Sequence, residues 1–175
     1  MIFSPWPGRA AIAHDIANPE SQFDAEELAV IRGFARAKRQ KEWMLSRIAE
    51  KELRRSGASG DYVSFSHSGN YGAAAVGTDP VGIDIEVIRE ISENAAHLFL
   101  TDAEIELMRD RTITHRMLHF WSAKEALWKK RGGSVPTLRR VPLIFESEIA
   151  NGLRFRGVET IAIRDLVAAI TLPTS

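Results

Sequence analysis

The order of local signals along these 175 residues predicts an α+β protein. Three observations carry that expectation. A helical pattern runs from about Ala25 to Arg55, short strand-like segments occupy the stretch from Tyr62 to Val87, and a second strong helix over residues 115–131 is followed by further strand-like segments. Helix, strands, helices, strands is a plan whose two halves resemble each other, although no sequence repeat is visible. With 45% apolar residues, the chain is long enough for one sizeable core or two small, closely packed lobes.

Each element has its own warrant. After a Pro-rich opening, Asp24 with Glu27 three residues later forms a capping-box pair that starts the first helical tract. Thirty residues is long for one globular helix, and the polar cluster AKRQKE at 37–42 is the expected break. Beyond it Leu45, Ile48, Ala49 and Leu53 recur at helical spacing, with Arg47, Glu50, Lys51 and Arg54 on other faces. SGASGD at 56–61 reads as a loop. YVSFSHSG, YGAAAVGT and VGIDIEV then predict a meander of short strands. Thr101 and Glu104 make a second capping box, opening a helix to about Arg109, and GGS ends the helix at 115–131. PLIFES, LRFRGVETIAI and LVAAITL read as strands by β-branched content and partial alternation.

Composition narrows the chemistry. There is no cysteine, which excludes disulfides, thiolate nucleophiles and Cys-ligated metal centres. The 23 basic and 23 acidic residues cancel, so no net field steers the molecule onto nucleic acid or an anionic membrane, and any anion must be held by a local cluster. The opening MIFSPWPGRA lacks a basic start and an apolar core, and no segment approaches a membrane span. The expectation is a soluble cytoplasmic protein.

VGIDIEV poses a specific question, because two acids interrupt a buried-looking strand. Side chains two apart on a strand share a face, which puts Asp84 beside Glu86 and sends Ile83 and Ile85 the other way. Two readings stand: an edge strand with one wet face, or a site for a hard cation such as Mg²⁺. On the second long helix, Glu125 falls on the apolar stripe of Leu118, Trp121 and Trp128, with Lys129 one turn later. A local Glu125–Lys129 pair is the alternative to a third acid at the same site. SFSHSG offers hydroxyls, an imidazole and backbone donors that suit a phosphate, against a hydrogen-bonded structural histidine. His115 and His119 are four apart but lack the zincin glutamate, and read as a surface or packing pair.

SFSHSG, VGIDIE, LFLTDAE and FWSAKEALWKK, in this order and spacing across residues 64–130, resemble the 4′-phosphopantetheinyl transferase superfamily in its single-chain, surfactin-synthetase-activating type. That type carries a Ser-His-Ser/Thr strand end, a Gly-Ile/Val-Asp-x-Glu strand, an aromatic-Thr/Ser-x-x-Glu helix start and a Trp-x-x-Lys-Glu-Ala/Ser-x-x-Lys helix. KRQKEWMLSRIAEKEL adds a looser match to its basic first helix.

The resemblance implies two similar α+β lobes, approximately 1–85 and 86–175, forming one domain with the active site in the cleft between them. It implies a monomeric enzyme that transfers the 4′-phosphopantetheine arm of coenzyme A to a serine of an apo acyl or peptidyl carrier protein, releasing 3′,5′-ADP. Asp84, Glu86 and Glu125 would gather around Mg²⁺, and Glu125 would also serve as base for the serine proton. Lys129 would stabilise phosphate charge, with Lys124 a further candidate. Ser66 and His67 would hold a CoA phosphate, with Lys38, Arg39 and Arg47 reaching the 3′-phosphate. A non-catalytic CoA- or carrier-binding module of the same fold is the alternative. One family feature has no counterpart: the usual Gly-Lys/Arg-Pro loop before the Ser-His strand is replaced by SGASGDYVSFSHS, leaving Arg54 and Arg55 as candidate substitutes.

Overall fold

In a computed structural model, which describes residues 1–173, the chain forms two antiparallel sheets, each backed by one long helix. The first sheet has the order β1-β2-β4-β3, from strands Ile2–Trp6 (β1), Ala10–His14 (β2), Tyr62–Ser68 (β3) and Tyr71–Gly77 (β4). The second has the order β5-β9-β8-β7-β6, from Ile83–Val87 (β5), Phe145–Ile149 (β6), Gly152–Phe155 (β7), Val158–Ile163 (β8) and Leu166–Thr171 (β9). Four α-helices cover them: Ala25–Arg32 (α1), Ala37–Arg55 (α2), Asp102–Arg109 (α3) and Arg116–Lys130 (α4).

Three apolar layers hold these elements together. Leu45, Ile48, Ala49 and Leu53 of α2 pack on Ala11, Ala13, Ala74 and Val76 of the first sheet. Phe120, Ala123, Ala126 and Leu127 of α4 pack on Leu153, Phe155, Val158 and Ala169 of the second. Between the sheets lie Ala10, Ile12, Ala73 and Ala75 on one side and Ile83, Ile85, Ala168 and Ile170 on the other. The order helix, sheet, sheet, helix follows from alternation, since each central strand buries both faces.

Several local expectations hold. Both capping boxes form, Asp24 with Glu27 and Thr101 with Glu104. α4 ends just before Gly132 and Gly133, both at positive φ. Others shift. The first helical tract breaks at Gly33–Arg36 rather than within residues 37–42, and the polar cluster opens α2 instead. Glycine ends α1 at less cost than charged residues, which are themselves good helix formers. The meander is also corrected: β3 and β4 make a hairpin, but β5 pairs with β9 in the other sheet. The Pro-rich opening supplies β1 and β2, and LRFRGVETIAI divides into β7 and β8 at Gly157, which has φ +79°. No helix among the described residues is long and apolar enough to cross a membrane.

Two glycines set the close approaches that position the strands. A Cβ on Gly72 would lie 2.4 Å from the backbone nitrogen of Ser46, so β4 meets α2 only without a side chain there. A Cβ on Gly82 would lie 1.9 Å from the carbonyl oxygen of Ala126, which locks the start of β5 against α4. That second contact brings the acids of β5 under the helix carrying Glu125.

Candidate active site

β3 and β5 lie side by side where the two sheets meet, but no backbone ladder joins them. Serine side chains do so instead. Ser64, Ser66 and Ser68 accept hydrogen bonds from the backbone N–H groups of Ile83 (3.1 Å), Ile85 (3.2 Å) and Val87 (3.0 Å). The period of two puts all three hydroxyls on one face of β3, and Val63, Phe65 and His67 on the other.

Asp84 and Glu86 share the face of β5 turned towards α4, while Ile83 and Ile85 enter the layer between the sheets. Asp84 is only 4% exposed. Its Oδ1 accepts from Ser66 Oγ and Lys129 Nζ, each at 2.9 Å, and its Oδ2 is buried with no partner among the described residues. Lys129 also donates to the carbonyl of Ile83 at 3.0 Å. Glu86 accepts on Oε2 from Ser68 Oγ (3.2 Å) and from Arg89 (2.7 Å). Glu125, half-buried on α4, makes no hydrogen bond or ion pair among the described residues. Lys129 therefore serves Asp84 rather than a local pair with Glu125.

The electrostatics follow from this crowding. Burial pushes the Asp84 carboxyl above its ordinary range, with Glu86 adding to the effect and Lys129 and Ser66 opposing it. Burial also raises Glu125, helped by the negative charge of Asp84 and opposed by Lys129. Three acids thus lie near one another with two basic partners, Lys129 at Asp84 and Arg89 at Glu86. An orphaned, buried carboxylate oxygen beside two further acids fits a hard cation by charge and donor type. Among the described residues no three of His, Asp or Glu converge closely enough to hold a metal ion as placed.

The other candidates separate into two groups. His67 points to the α2 side of β3, where its Nε2 lies 2.9 Å from Arg39 Nη1 and 3.6 Å from Glu42. The guanidinium donates, so the imidazole accepts on Nε2. Lys38 joins the same cluster through Glu42 at 3.7 Å. Arg47 lies about 12 Å further along the helix, paired with Glu50 at 2.9 Å and stacked over Phe65 at 4.0 Å. Arg54 is paired with Glu50 and Arg55 with Glu52.

Two assignments need correction. Lys124 does not face the site: it is fully buried, with Nζ 2.8 Å from Glu104 and 2.7 Å from the carbonyl of Val141. A quarter-turn on the helix is enough to move it from the acids into the lobe interior. Ser66 is not free to hold a phosphate, because its oxygen accepts from Ile85 while its proton goes to Asp84. The roles of Ser66 and Ser68 at the acids, and of Arg89 at Glu86, escaped the sequence reading. The alternation of Ser64, Ser66 and Ser68 opposite IDIE was the available signal.

Comparison with known proteins bears on this arrangement. The family model described as "4′-phosphopantetheinyl transferase superfamily" matches residues 80–169, just over half of the chain, from β5 to β9. The chain belongs to the 4′-phosphopantetheinyl transferase superfamily. The matched span contains Asp84, Glu86, Glu125 and Lys129. Among curated relatives, "4′-phosphopantetheinyl transferase Sfp" of Bacillus subtilis (strain 168) is 35% identical over 74 residues, covering 41% of this chain and 33% of that protein. "4′-phosphopantetheinyl transferase ffp" of Bacillus subtilis is 31% identical over 74 residues, with the same shares. The matched stretch thus spans about a third of each relative's length. The mixed architecture of two antiparallel sheets with helices accords with superfamily membership.

Proposed function

We propose that this member of the superfamily transfers the 4′-phosphopantetheine arm of coenzyme A to a serine hydroxyl of an apo carrier protein. The observation that carries the reading is the acid centre: Asp84 with an unpartnered buried oxygen, Glu86 beside it, and Glu125 brought over both by α4. Lys129 pairs with Asp84 and Arg89 with Glu86, which leaves Glu125 and one oxygen of Asp84 without a basic partner among the described residues.

In this reading Asp84, Glu86 and Glu125 would hold Mg²⁺. The bound cation would neutralise the CoA diphosphate and polarise the phosphoryl group under attack. Lys129, whose ammonium lies 2.9 Å from Asp84, would stabilise phosphate charge. Glu125, its carboxyl raised by burial, accepts the proton of the carrier serine. The serine oxygen bonds to the pantetheine-bearing phosphorus, the bond to 3′,5′-ADP breaks, and the electron pair leaves with the nucleotide. On the other face of β3, Arg39, Lys38 and His67 form the cation-bearing cluster suited to the nucleotide's 3′-phosphate. The substrates and products are small or soluble, which accords with a cytoplasmic enzyme.

The test is the intact mass of an apo acyl carrier protein incubated with this protein, CoA and Mg²⁺, with an EDTA control. A metal-dependent gain of one phosphopantetheine mass is expected. The Asp84→Ala variant, folded by circular dichroism, is expected to give none, because the cation loses its most enclosed ligand. Full transfer by that variant would remove the metal assignment. No gain on several carrier types would leave a CoA- or carrier-binding module, to be examined by CoA titration.

A further inference from the structure

Both acids of β5 are held in the same lopsided way. Ser66 and Lys129 converge on Oδ1 of Asp84, and among the described residues Oδ2 has no partner. Ser68 and Arg89 converge on Oε2 of Glu86, and among the described residues no hydrogen bond reaches Oε1. One oxygen of each carboxylate is therefore clamped and the other is presented.

The serines have a property that the lysine and arginine lack. Each hydroxyl oxygen already accepts a backbone N–H of β5, Ile85 for Ser66 and Val87 for Ser68. That bond fixes the rotor and leaves its single proton for the neighbouring carboxylate. A neutral donor also does not repel an incoming cation, whereas an ammonium does. The serines can keep their grip on a carboxylate that has exchanged its basic partner for a metal.

We infer that Ser66 and Ser68 are positioning residues of the acid centre, each fixing one carboxylate oxygen so that Asp84 Oδ2 and Glu86 Oε1 are presented to a divalent cation. The inference rests on reading the acids as a cation centre. Its consequence is that cation affinity is set across the junction of the sheets, because the serines belong to the first sheet and the acids to the second. Ser64 supplies an internal control. It accepts from Ile83 as the others accept from Ile85 and Val87, yet among the described residues it donates to no acid.

The experiment measures Mn²⁺ binding by the protein alone, from the electron paramagnetic resonance signal of the free ion, with no CoA or carrier present. Wild type is compared with Ser64→Ala, Ser66→Ala, Ser68→Ala, Ser66→Thr and Asp84→Asn, each checked by thermal unfolding. Ser66→Ala and Ser68→Ala are expected to weaken Mn²⁺ binding roughly 10-fold or more, as loss of a ligand's supporting hydrogen bond does, while Ser64→Ala changes it by less than about two-fold. Ser66→Thr, which keeps the hydroxyl, is expected to restore binding. Should Ser66→Ala not fold, Ser68→Ala at its half-buried position decides the matter. Affinities in Ser66→Ala and Ser68→Ala no weaker than in Ser64→Ala would overturn the positioning role and leave the cation centre standing. A wild type that binds no Mn²⁺, or binds it no better than Asp84→Asn, would overturn the centre itself and the inference with it.

Discussion

At the scale of single residues, Glu125 and His119 show how one helix supports opposite uses of burial. Glu125 sits at the edge of α4 facing Asp84, where burial and that neighbour favour its neutral form and make its carboxylate a better proton acceptor. Glu125→Gln keeps the shape and removes the acceptor. Single-turnover transfer is expected to slow by about 10²–10⁴, the range for a general base, with CoA affinity little changed; a loss confined to CoA affinity would remove the base role. His119 is wholly buried, with Nδ1 2.8 Å from the Thr160 hydroxyl. Burial pushes its pKa down to about 4, with His115 adding to the effect. Between pH 6.5 and 4 the unfolded chain binds this proton and the folded chain does not, so stability is full above 6.5 and lost as pH falls towards 4. The loss amounts to on the order of 3 kcal/mol. Melting temperatures of wild type and His119→Asn across that window should converge as pH falls; parallel curves would show that His119 is not the cause. The shared face of Asp84 and Glu86 was legible from strand alternation. The partner of Lys129 was not, since helical spacing pointed to Glu125 and only the packing of α4 on β5 brought Asp84 within reach.

At the scale of elements, the LFLTDAE and WSAKEALWKK motifs meet in a way neither shows alone. Glu104 closes the capping box of α3, accepts from the backbone N–H of Leu143, and pairs with buried Lys124 of α4. One carboxylate thereby ties α3, α4 and the loop before β6 together. Burial lowers the Lys124 pKa, opposed by its bond to Glu104, so the ammonium depends on that partner. Lys124→Met would strand Glu104 in the interior and is expected to destabilise the fold by about 3 kcal/mol or more, as removing one partner of a buried pair does. Thermal unfolding would show this, while CoA binding at low temperature stays near wild type. A stable variant with impaired CoA binding would return Lys124 to the site. The helix starts were readable because capping is a local code spanning four residues. Where α2 begins was less so, because a charged run is compatible with either a break or an exposed helical turn.

At the scale of the whole molecule, an apolar layer lies between the two sheets. Ile12, Ala73 and Ala75 meet Ile83, Ile85 and Ala168 there. Polar contacts cross the same junction, with Trp6 Nε1 donating to Glu159 (3.0 Å), Arg9 to the carbonyl of Thr171 (2.6 Å) and Tyr71 to Asp165 (2.5 Å). Calorimetry is expected to show a single transition with equal calorimetric and van't Hoff enthalpies. Two separated transitions would show that the halves fold independently and would weaken any account in which serines of one sheet set the acids of the other. By itself the sequence determined the α+β class, the two capping boxes, the α4 helix and the shared face of Asp84 and Glu86. Those features depend on periods of 3.6 and 2 and on caps, all written within a few residues of chain. Only the tertiary structure decided that residues 2–14 are strands, that β5 leaves the β3–β4 hairpin for β9, that Lys124 turns inward and that Ser66 serves Asp84. These choices depend on which distant surface each segment meets, and on which polar group is left needing a partner once water has been excluded.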